Sequence, residues 1–138
     1  MLQQVPESDR PRLMEAIRRA ESLRKANQAS EGIQILRKLT AEFPRASIVR
    51  VFLARNLLKE GQHVEAIECA QDAVQLSPKS ELASVMLYLA RMKAGQIDSA
   101  LDEMKRFIAI GGKSKEYSRL IKEFRQIMDE EDAKQNAE

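Results

Sequence analysis

Pro44 and Pro78 stand 34 residues apart, and Gly112 falls at the next step of 34. A fixed period of this length restricts a chain to stacked copies of one supersecondary unit. Aligned on the period, residues 13–46, 47–80 and 81–114 form three blocks whose equivalent positions agree in chemistry as well as in number. The fifteenth position holds Asn27, Gly61 and Gly95, the residue types that tolerate the left-handed conformation in which a helix ends and the chain reverses. Each block therefore reads as a helix hairpin. The twentieth position holds Gly32, Ala66 and Ala100, small enough for two helices to approach closely. Three further sets mark the hairpin core: Ala20, Ala54 and Tyr88; Ile33, Ile67 and Leu101; Leu39, Ala73 and Phe107. Pro44 and Pro78 sit where one helix must stop and the next can begin, with Ser77 placed as a cap.

The pattern resembles the tetratricopeptide repeat family. The middle block carries the resemblance most fully, with Leu53, Ala54, Leu57, Gly61, Ala66, Ile67, Ala73 and Pro78 at family positions. Block one departs at Arg19, where the family has a large apolar residue, and at Gly32; block three replaces the closing proline with Gly111 and Gly112. The resemblance implies an all-α, right-handed α-solenoid of three helix hairpins over residues 13–112 and a C-terminal capping helix over 114–131. Residues 1–12 are a separate N-terminal segment.

From Ser114 onward, Tyr117, Leu120, Ile121, Phe124, Ile127 and Met128 recur at helical spacing with charged residues opposite, which suits a helix covering the last open face. The run after Asp129 sets like charges against the helix dipole, so residues 132–138 are expected to be a disordered tail.

Composition narrows the function. Net charge is +2, with 23 basic and 21 acidic side chains in 138 residues, so no field of one sign points to nucleic acid or a membrane surface. Arg10, Arg12, Arg18, Arg19, Arg24 and Lys25 crowd the first helix, but Glu15 and Glu21 interrupt them and no stacking aromatics are interleaved, which argues against a nucleic-acid partner. One cysteine, Cys69, excludes an internal disulfide, and no stretch is apolar enough to span a membrane; a cytoplasmic location is the expectation. His63 and Cys69, six residues apart, do not share a helix face, and the carboxylates Glu65, Glu68 and Asp72 have the spacing of a solvated helix. No catalytic group, cofactor or metal site is expected.

In the family, the first helix of each hairpin lines a concave groove. Spacings of four, three and four residues keep one face, and assign Met14, Arg18, Glu21 and Lys25 to it in block one. Block two gives Ile48, Phe52, Arg55 and Lys59; block three gives Leu82, Met86, Leu89 and Lys93. The last two sets form the predicted site, an apolar floor of Ile48, Phe52, Leu82, Met86 and Leu89 beside a basic strip of Arg55, Lys59 and Lys93 that Arg18 of block one extends. Lys and Asn residues with which some family members grip a partner's terminal carboxylate are replaced here by Ile17, Glu21, Phe52, Leu82 and Met86. The expected function is a non-enzymatic scaffold or chaperone-like adaptor for a protein or peptide with apolar anchors, similar to three-repeat secretion chaperones in repeat number and groove character. Pairing of two copies through the same apolar face is a second reading, as is one repeat domain of a larger protein.

Overall fold

The three expected reversals are left-handed turns of one design. Asn27, Gly61 and Gly95 have φ of 61°, 74° and 78°. At each, its own amide and the one after it reach back to the helix just ended: Asn27 to the Arg24 carbonyl at 3.1 Å and Gln28 to Leu23 at 2.8 Å, with the same pairings for Gln62 to Leu57 and Gln96 to Arg91. Carbonyls that a helix end would leave unpaired are thereby satisfied. The structure, a computed structural model, describes residues 1–2 and 4–137. It is an all-α solenoid of hairpins α1/α2 (Arg10–Lys25, Ala29–Glu42), α3/α4 (Ser47–Lys59, His63–Leu76) and α5/α6 (Glu81–Lys93, Ile97–Ala109), followed by α7 (Lys115–Ala137).

Small residues set the spacing within hairpins. Ala20, Ala54, Ala66, Ala73 and Ala100 are fully buried. Gly32 has a more specific reason than general smallness: a Cβ there would lie 2.6 Å from Asn56 Oδ1 on α3 and 3.1 Å from the Ala20 carbonyl. Asn56 is itself buried, donating from Nδ2 to the Phe52 carbonyl at 2.9 Å while its Oδ1 has no partner. The glycine in block one is thus matched to a polar side chain in block two.

Two details differ from expectation. Ser77 does not cap α5; it ends α4, and its hydroxyl pairs with Ser47 Oγ at 2.6 Å. The cap of α5 is Ser80, whose Oγ accepts from the Ala83 amide at 3.2 Å. Residues 77–80 form a turn, closed by the Ser80 amide on the Ser77 carbonyl at 3.0 Å, so α5 starts three residues later than a cap at Ser77 would set it. The first helix also begins earlier than Leu13, at Arg10, because Pro11 in the first turn needs no amide partner.

The N-terminal segment is folded onto the stack. Val5 is buried within the main core cluster, with Met1 and Leu2 packed against it, and Arg10 Nε donates to the Val5 carbonyl at 3.1 Å. At the other end, Ser114 caps α7, accepting from the Tyr117 amide at 3.2 Å and donating to Glu81 at 3.0 Å. Tyr117 is buried edge-on to Tyr88 and Phe107, at centroid distances of 5.6 and 5.8 Å. Beyond Lys122 every described α7 residue is exposed. The helix nevertheless continues to Ala137, so the expected disordered tail is helical through that residue, and Glu138 lies outside the described residues. Good helix formers and the absence of any breaker after Met128 account for the continuation.

Candidate functional site

Packing between successive first helices, α1 on α3 and α3 on α5, brings Ile48, Phe52, Arg55 and Lys59 onto the helix adjoining that of Leu82, Met86, Leu89 and Lys93. Their surroundings differ. Ile48 and Phe52 are half-buried against the main core cluster, and Leu89 is half-buried against the smaller cluster around Tyr88. Leu82, in the first turn of α5, is 40% exposed. Met86 corrects the expected floor: at 6% exposure it belongs to the core and has little surface to offer. Its helix is packed against both α3 and α4, so a face that looks free along one helix is covered by the preceding hairpin.

The basic strip is also changed by neighbours. Arg55 Nη1 lies 3.2 Å from Glu21 Oε2, and Glu21 in turn receives Arg24 at 3.2 and 3.1 Å. Spacing along α1 puts Glu21 on the same inward face, but its pairing with Arg55 emerges only where helices of two different repeats meet. Lys59 and Lys93 are exposed in the last turns of α3 and α5. Positive charge there complements the helix dipoles.

Chemistry-bearing side chains outside this face serve the fold. Cys69 is buried, and burial pushes its thiol up to about 11, which keeps it protonated and unreactive near neutral pH. His63 begins α4, half-buried. A polar cluster missed by periodicity joins α5, α6 and α7: Ser84 Oγ lies 2.6 Å from Glu103 Oε2 and 2.7 Å from Tyr117 Oη. A carboxylate only accepts, so the single Ser84 proton goes to Glu103 and Tyr117 donates to Ser84. Arg106 neutralises Glu103 through two 2.7 Å hydrogen bonds. Burial holds the Tyr117 phenol above its ordinary range. The cluster is closed to solvent and fixes the first turns of α7. No helix among the described residues is long and apolar enough to cross a membrane.

Comparison with known proteins agrees with this architecture. No curated protein sequence matches the chain. Among solved structures, the tetratricopeptide repeat domain of Sgt2 from Aspergillus fumigatus is similar at TM-score 0.72 and 22% identity, over 94% of this chain and 84% of that one. The first such domain of Spaghetti (RPAP3), solved bound to the HSP90 peptide SRMEEVD, is similar at TM-score 0.70 and 15% identity, over 84% of this chain and 94% of that one. At these identities the likeness concerns the fold. Two family models, each described as tetratricopeptide repeat, match residues 17–46 and 57–123. With the left-handed hairpin turns and small-residue packing at a 34-residue period, these matches establish that the chain belongs to the tetratricopeptide repeat family.

Proposed function

We propose that the chain is a non-enzymatic scaffold or chaperone-like adaptor, holding a peptide or helix of a partner protein across α3 and α5. One observation carries the reading: Ile48, Phe52, Leu82 and Leu89 remain half-buried or exposed on two adjacent helices whose other apolar residues are mostly enclosed. Apolar anchors of a partner would complete their burial. Lys59 and Lys93 would favour acidic flanks on that partner. Arg55 serves such a flank only by sharing itself between the ligand and Glu21. The similar Spaghetti domain was solved with an acidic peptide. In this chain Ile17 is buried and Glu21 is engaged by two arginines, so the ligand we propose is recognised by apolar side chains rather than by a terminal carboxylate.

Leu82→Glu is the cleaner test, because Phe52 also supports the core. An array of peptides with apolar anchors and acidic flanks is expected to be retained by the wild-type chain and weakened at least about tenfold by Leu82→Glu, with the melting curve nearly unchanged. Equal retention by both proteins would remove the face from consideration.

A further inference from the structure

The period continues past Gly112. Ala46, Ser80 and Ser114 precede α3, α5 and α7 at equal steps, which sets α7 in the place of the first helix of a fourth hairpin. At the step where Asn27, Gly61 and Gly95 turn, α7 has Asp129 and runs on as unbroken helix to Ala137. No second helix folds back on it among the described residues. The consequence shows in burial: Leu53 and Leu87 are enclosed where α7 has half-buried Ile121, and Asn56 and Ala90 are enclosed where α7 has Phe124, 61% exposed. An apolar cleft of about 470 Å³ opens here between α6 and α7, lined by Leu101, Met104, Leu120, Ile121, Phe124 and Ile127.

We propose that this cleft is filled by α7 of a second copy of the chain, lying antiparallel, so that each α7 supplies the missing second helix of the other's fourth hairpin. Hairpin helices run antiparallel, and a two-fold pair of α7 helices meets that requirement for both copies at once. The occupant needs an apolar stripe, and α7 presents Phe124, Ile127 and Met128, all exposed. Charge selects the same arrangement. The first half of α7 carries Lys115, Arg119, Lys122 and Arg125 against Glu116 and Glu123, whereas the second half carries Asp129, Glu130, Glu131 and Asp132 against Lys134. Antiparallel pairing sets the basic half of each helix, with Lys105 of α6 at the cleft, against the acidic half of its mate; parallel pairing would appose like charges. The surface is separate from the α3/α5 face, so the two proposals stand or fall independently.

Sedimentation of the full chain from about 1 to about 300 µM at low salt tests the pairing. A concentration-dependent dimer is expected, weakened at least about 30-fold by Phe124→Glu and about tenfold by the double change Asp129→Lys with Asp132→Lys. Leu82→Glu should leave it intact. Because Phe124 is exposed, Phe124→Glu should preserve the thermal melt of the hairpins, which checks that the variant is folded. A chain that stays monomeric throughout overturns the proposal, as does a dimer that Phe124→Glu spares or Leu82→Glu abolishes. A dimer lost in Phe124→Glu but indifferent to charge reversal overturns the antiparallel arrangement.

Discussion

Helices α3 and α7 hold corresponding places in the repeat, yet they live in different surroundings. Helix α3 has 13 residues, eight of them buried, because it is packed by α1 and α2 on one side and α4 and α5 on the other. Helix α7 has 23 residues and buries only Tyr117. The comparison shows that in a solenoid the burial of a helix depends on what lies beside it as well as on its own pattern: Val49, Phe52 and Leu53 correspond to Tyr117, Leu120 and Ile121, but where α3 has Val51, Ala54 and Leu57, α7 has Arg119, Lys122 and Arg125.

The comparison is broken most decisively at one pair of equivalent positions. Leu53→Ala is expected to destabilise the chain by about 2 to 5 kcal/mol, the usual result of emptying a core site. Ile121→Ala, at the same place in α7, should cost under about 1.5 kcal/mol, since the site is already half open. Denaturant melts of the two variants measure the difference, and equal losses would mean that α7 is as enclosed as α3. Ser84→Ala probes the attachment between the two environments. It removes the hydroxyl that joins Tyr117 to Glu103 and should cost about 1 to 3 kcal/mol. Amide exchange should quicken in α7 first and leave α3 protected; exchange rising uniformly would show that α7 has no independent opening. The smallest effect lies in the enclosed part, where Arg37 on α2 holds the Glu65 carboxyl on α4 below its usual 4.5. A carboxylate depressed on folding contributes stability that is present above about 4.5 and is lost as pH falls through the lower folded value. The pair is largely solvated, so Glu65→Gln should remove no more than about 0.5 kcal/mol of that acid-side dependence.

Much of the fold was legible in the sequence because the decisive signals are local. A left-handed residue at Asn27, Gly61 or Gly95 is demanded by the turn itself, whatever packs around it. What was not legible depended on neighbours from other repeats. Met86 lies on a face that one helix alone would leave free, and only the arrival of α3 and α4 encloses it. Arg55 reads as an open positive charge until Glu21 is placed beside it. The Ser84, Glu103 and Tyr117 cluster spans three helices; a serine in the otherwise greasy α5 was its one visible trace. Of the floor residues read from the spacing, Phe52 is half-buried and Leu82 exposed, whereas Met86 is enclosed.

The folded-back N-terminus changes how the array should come apart. Stacked repeats interact chiefly with their neighbours and can fray from an end, one unit at a time. Here Ser80 Oγ lies 3.2 Å from Met1 Sδ, and Val5 is set in the main core, so the start of the chain touches the entry to the third hairpin. That contact spans 79 positions. It adds to the neighbour-to-neighbour contacts of a linear array one that links the first residues to the third hairpin, and so favours one cooperative unfolding transition over a sequence of partial ones.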